Sequence, residues 1–190
     1  MSIQPKYFSR PSGPLCAATL RVELREVGGP PLLTRAAHNM VARSGAELLA
    51  GLFTGGQAKS IDAVALGIGE EPNGPPYELK GLTLARPGGD PLITKAVVAI
   101  DPASFEVETL EQELRVRVSL RTLIPADMAV NPDDAIEGVD IAEAALGVAS
   151  EDGESLARIY NRVVFEPFRK ARKHEVSLYW EISFPYGPNA

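Results

Sequence analysis

One thiol, two imidazoles and a scatter of carboxylates are the material for catalysis in this chain. A nucleophilic cysteine needs a base beside it, and Cys16 has only His38 and His174 to draw on. Cys16 therefore reads as a small apolar residue in a β segment. Ser44 follows His38 at the start of a helical pattern, a poor geometry for hydroxyl attack. Metal ligation fares no better. His38 has no His or Cys four residues on, and His174 stands beside Lys173. A single cysteine excludes a disulfide within the chain and a site of several thiolates. Asp133 and Asp134, with Asn131 and Glu137, lack the Asp-x-Asp-x-Asp-Gly order of a dedicated calcium loop and read as a solvated acidic loop.

Phosphate chemistry is equally thin. Gly51 and Gly56 have the spacing of a phosphate-cradling loop, but Gln57 and Ala58 separate the second glycine from Lys59, and the segment follows a helical pattern instead of opening one. Gly67-Ile68-Gly69 begins like a dinucleotide fingerprint, but Pro72 stands at the third glycine position. No pair of carboxylates is singled out for glycoside hydrolysis. The expectation is a chain with no catalytic residues, no metal, no cofactor and no small-molecule substrate, acting through surfaces. Arg169, Lys170, Arg172 and Lys173 form its one basic cluster. They read as a solvated hairpin tip or as candidate subunit contacts, docking on an acidic surface of a neighbour.

Composition sets the background. Hydrophobic residues are 45% and charged residues 23% of 190, which excludes wholesale disorder. The net charge of −6 gives no global attraction for nucleic acid. No apolar run approaches the roughly 20 residues that span a bilayer, so membrane insertion is not expected. Met1–Lys6 leads into no apolar signal core, so the chain is expected to be made and kept, or assembled, in a cytoplasm. With 17 Gly and 16 Pro, the chain carries the turn density of a β-rich fold.

The elements follow from periodicity. Residues 1–15 hold Pro5, Pro11 and Pro14 and read as an extended N-terminal arm; residues 16–190 read as a single domain. Leu20, Val22 and Leu24 alternate with charged residues, a half-buried strand that Gly28-Gly29-Pro30-Pro31 turns back. Asn39 has the chemistry of a helix N-cap for Met40–Phe53, whose apolar residues recur at helical spacing. Ile61–Ile68 and Leu92–Ile100 read as strands, and 141–148 as strand or helix. Leu114, Val116, Val118 and Leu120 are candidate core in another alternating strand. Leu156–Phe165 is a further strand. Val176, Leu178, Trp180, Ile182 and Phe184 are the core face of the last. Seven or eight strands, one helix in the N-terminal half and no strand–helix repetition predict a mainly β fold, an antiparallel β-sandwich.

Four segments, in order, resemble a class of structural proteins of tailed-bacteriophage virions and phage-derived contractile particles. Asn39-Met40-Val41 through Leu49-Ala50-Gly51-Leu52 is similar to that family's helix. Ile61–Gly69 is similar to its strand ending in Gly-x-Gly. Ile141-Ala142-Glu143-Ala144-Ala145-Leu146-Gly147 is like its Ile-x-Glu-Ala-Gly-Leu-Phe, with departures at Ala145 and Gly147. Leu156-Ala157-Arg158-Ile159-Tyr160-Asn161-Arg162-Val163-Val164-Phe165, then Pro167 and Lys170, followed by Leu178-Tyr179-Trp180-Glu181-Ile182-Ser183-Phe184, look like its closing hairpin and terminal strand. The resemblance covers roughly residues 35–186. It implies a non-enzymatic building block of a tail, neck or collar, or baseplate, a homo-oligomer whose other partners are virion proteins, assembled in the host cytoplasm. A carbohydrate- or peptide-binding sandwich module for host attachment is the alternative, and a small hydrolase a third.

Overall fold

A computed structural model describes residues 17–38, 40–54, 59–69, 76–78, 81–85, 92–133 and 137–187. The arm at 1–15, Cys16, Asn39 and Asp134 lie outside the described residues. The described elements are β1 (Ala17–Glu26), β2 (Pro31–His38), β3 (Met40–Val41), α1 (Arg43–Gly51), β4 (Ala63–Gly67), β5 (Val97–Ala99), β6 (Phe105–Leu110), β7 (Arg115–Ile124), β8 (Val139–Ala149), β9 (Leu156–Lys170) and β10 (His174–Pro185). They form two five-stranded sheets with the orders β2-β1-β10-β7-β6 and β3-β9-β8-β4-β5. Every pairing is antiparallel. This is the mainly β, sandwich-like class with one helix that the alternation and turn density predict.

One apolar cluster joins the sheets. Leu20, Val22 and Leu24 of β1, Leu120 and Ile124 of β7, and Val176, Leu178, Trp180 and Ile182 of β10 pack with residues of the second sheet, among them Leu66, Ile141, Leu146 and Phe168. Each side chain of this size contributes about 1.5–3 kcal/mol when fully buried. Val116, Val118 and Phe184 share the inward face but are half-buried. Val107 of edge strand β6, opposite Val118, is 69% exposed, so the second sheet does not cover this corner.

Several details depart from the sequence expectations or decide between them. Leu114 is not core: it takes a left-handed conformation (φ 50°) in the turn before β7 and is 41% exposed. The helix begins at Arg43, because Met40 and Val41 pair with Arg162 and Asn161 of β9 as β3. Ala42 precedes the helix without a side-chain cap; its backbone N–H instead donates to the Tyr160 carbonyl at 3.0 Å. Residues 141–148 are strand, within β8. Pro167 lies inside β9, where residues 165–167 bulge opposite Ala142, so its missing N–H breaks no ladder bond.

The outer face of the second sheet is built for close approach. Ala63, Ala65 and Ala145 meet Ala42, Leu156 and Ile159 in a smaller apolar cluster. Gly45 of α1 lies directly on the Tyr160 backbone, where any Cβ would overlap the carbonyl oxygen. Beside them Glu143, fully buried, accepts from Arg162 Nε at 2.5 Å and from the Thr83 backbone N–H at 2.6 Å. Gly67 makes room for that carboxylate, because a Cβ there would overlap its Oε1.

Candidate functional site

The basic cluster of the sequence sits where β9 of one sheet becomes β10 of the other. That corner separates its four cations. Arg169 points outward, with Nη1 3.5 Å from Asp140 and Nε donating to the Glu137 carbonyl at 3.1 Å. Lys170 points inward and is fully buried, its Nζ donating to the Ala126 carbonyl at 3.1 Å. Contrary to the sequence expectation, Lys170 is not a surface contact, because the strand alternates and the chain is turning into the core. Burial lowers the Lys170 ammonium to a pKa of about 8, with Asp127 opposing and Arg172 adding to the effect. Arg172 donates to the Asn131 carbonyl at 3.0 Å, and Lys173 pairs with Glu26 at 3.2 Å. The structure thus brings no single four-cation patch together: Lys170 is inside, Arg169, Arg172 and Lys173 are exposed, and Arg169 and Lys173 are paired with carboxylates that are exposed as well.

The histidines are not brought together either. His38 is paired with Thr19 and His174 with Glu26, at opposite ends of β1. His174 Nδ1 accepts the Ala171 N–H at 3.1 Å and closes the turn. Asn131 Oδ1 accepts the Asp133 N–H at 2.8 Å, a loop-closing contact. Among the described residues no three His, Cys, Asp or Glu side chains are grouped to hold a metal. No described helix is long and apolar enough to cross a membrane.

A different site emerges on the outer face of the first sheet. The residues between the core positions of β1, β10 and β7 are polar except Leu123, and pairing aligns them in cross-strand rows. Thr19, Glu181, Ser119 and Glu106 make one row. Arg21, Tyr179 and Arg121 make the next. The Arg21 guanidinium lies 4.2 Å and that of Arg121 5.5 Å from the Tyr179 ring centroid. Such contacts contribute about 0.5–1 kcal/mol each at exposed sites. Tyr179 Oη donates to Glu23 at 3.3 Å, and Glu23 also accepts from Arg25 at 2.8 Å and pairs with Arg21 at 3.5 Å. Arg21 and Tyr179 are thereby fixed. Glu181 is 3.6 Å from Arg117. Arg121 and Glu106 carry no ion pair among the described residues. Together these rows line a groove of about 490 Å³. Reading the sequence missed it because each residue appears there only as the polar partner in an alternating strand. The one available signal is that the polar positions of two strands include Arg and those of the third include Tyr.

No family model, curated protein or solved structure matches the chain.

Proposed function

We propose that the chain is a non-enzymatic structural subunit of a phage tail, neck or collar, or baseplate, working by symmetric assembly with itself and with neighbouring virion proteins. One observation carries this. The four segments that resemble such proteins are not scattered turns and strands but one contiguous framework. Gly45 of the first lies on Tyr160 of the fourth. Gly67 of the second gives space to Glu143 of the third, and Glu143 binds Arg162 of the fourth. Trp180 is in the middle of the shared core. Gly45, Gly67, Glu143 and Trp180, four of the residues that make the resemblance, are therefore among those on which the packing depends. A subunit of this kind acts through surfaces and calls for no cofactor, nucleic acid or bilayer, and its place is the virion, assembled in the host cytoplasm.

The test is particle incorporation. A tagged copy is co-expressed with the products of the genes flanking its own, and particles are separated on a density gradient. The expected result is a fixed number of copies per particle, a multiple set by ring symmetry, with defective particles when the chain is omitted. Complete, functional particles containing none of it would overturn the proposal.

A further inference from the structure

The groove on the outer face of the first sheet can be interpreted independently of the assembly proposal. Its occupant is limited by its lining. Arg21 and Arg121 are balanced by Glu106 and Glu181, so a polyphosphate or nucleic-acid backbone finds no net attraction. Leu120 and Trp180 beneath the floor are buried core residues, and the ring of Tyr179, the one aromatic on the surface of the groove, is covered by the Arg21 and Arg121 guanidiniums, so the groove offers no open apolar anchor of the kind that centres a protein interface. What remains is hydrogen-bonding capacity of both signs. Arg121 supplies a planar fork of donors and Glu106 a carboxylate acceptor, neither engaged in an ion pair among the described residues. Thr19, Ser104 and Ser119 add hydroxyls, which donate and accept.

A ligand that satisfies this lining must itself present donors and acceptors side by side, without net charge and without a large apolar group. We infer that the groove binds a neutral saccharide chain, with adjacent hydroxyls of one ring held by the Arg121 fork and the Glu106 carboxylate. The volume of about 490 Å³ lies in the usual range for small-ligand sites, roughly 300–1,000 Å³. The site is also pre-formed. Most of its side chains stand on paired strands, and Arg21 and Tyr179 are locked by Glu23, so ordering entropy on binding is confined mainly to Arg121 and Glu106.

Amide chemical shifts of the whole ¹⁵N-labelled chain, titrated with maltopentaose, chitopentaose and cellopentaose, test this. Pentaglutamate and a heparin tetrasaccharide are the charged comparators. At least one neutral pentasaccharide should give saturable shifts at β1, β7 and β10 around Thr19, Ser119, Arg121 and Glu181. Ser119→Trp, which fills the groove from the solvent side, should abolish them. Arg121→Ala should weaken binding by about tenfold or more, since hydrogen bonds to a charged group are lost. Both variants should keep the remaining spectrum. Shifts from none of the three neutral sugars, shifts from the acidic probes alone, or shifts unchanged in Ser119→Trp would each overturn the inference.

Discussion

Trp180 is 2% exposed in the middle of β10, and its indole N–H has no hydrogen-bond acceptor among the described residues. Its contribution is therefore packing. Trp180→Ala should destabilise the fold by about 3–5 kcal/mol, as truncation of a large buried aromatic does. Trp180→Phe keeps much of the ring and removes an unpaired donor, so it should cost less than about 2 kcal/mol. Urea unfolding followed by far-UV circular dichroism separates the two; an alanine variant as stable as wild type would put the indole outside the core. Lys170 is the opposite case, a polar group whose burial is unfavourable. Its pKa is about 8 in the fold, because the ammonium is desolvated, whereas an unfolded lysine holds its proton to about 10.4. Between those values the unfolded state binds more protons, so stability from this residue rises with pH across that window and is lost again as pH falls through about 8. Relative to Lys170→Met, wild type should gain up to a few kcal/mol, in the order of about 1.4 kcal/mol per pKa unit, on going from pH 7 to pH 10. A difference between the two proteins that does not change with pH would mean that Lys170 titrates as it does in water.

Helix α1 docks on β9 through the missing side chain of Gly45. In Gly45→Ala the new methyl meets the Tyr160 carbonyl, backbone that moves only if β9 bends. The gain in helix propensity is about 1 kcal/mol, while overpacking costs about 1–3 kcal/mol or more where the neighbour is rigid. The net effect should be destabilising, and amide exchange should show α1 losing protection before the strands do. Equal protection of α1 in the variant would contradict the close docking. How far elements were legible follows the same logic of neighbours. β1, β7 and β10 alternate cleanly because their outer face is polar, so their core faces could be read directly. β8 could not be told from a helix because it is buried on both faces, with Gly147 leaving room for the Arg158 carbonyl of β9. Edge strand β6, largely exposed, alternates only over Phe105-Glu106-Val107-Glu108, too short a run beside the turn at Pro102 to stand out as a strand. The helix start was misplaced because pairing of Met40 and Val41 with β9 overrides their local preference. The groove required register: Arg21, Arg121 and Tyr179 are far apart in the chain and become neighbours only once three strands are aligned.

At the scale of the molecule, the edges of the first sheet bear on how copies can meet. β6 carries Glu106 and Glu108, the latter bonded to Arg117, and β2 opens on Pro31. Charged and proline-bearing edges discourage uncontrolled strand addition, so ordered assembly of the kind proposed above is better served by side-chain surfaces. A chain of net charge −6 also repels its own copies unless cations face acidic partners across the contact. The corner between β9 and β10 narrows the candidates. Lys170 is inside; of the three exposed cations, Arg172 donates to the Asn131 carbonyl, while Arg169 and Lys173, with side chains 57% and 61% exposed, are paired with surface carboxylates and are the two to reverse. Their present partners, Asp140 and Glu26, are exposed as well, and such surface pairs contribute only about 0–1 kcal/mol. The double reversal Arg169→Glu with Lys173→Glu should therefore leave the fold nearly as stable as wild type while lowering the number of copies per particle at equal expression. Wild-type incorporation should fall as salt rises, because the Debye length shrinks to about 8 Å at physiological ionic strength and further above it. The low incorporation of the reversed variant should no longer respond to salt in that direction, since the attraction being screened has been removed. Full incorporation of the reversed chain would show that these two cations take no part in assembly and that another surface of the sandwich must be sought.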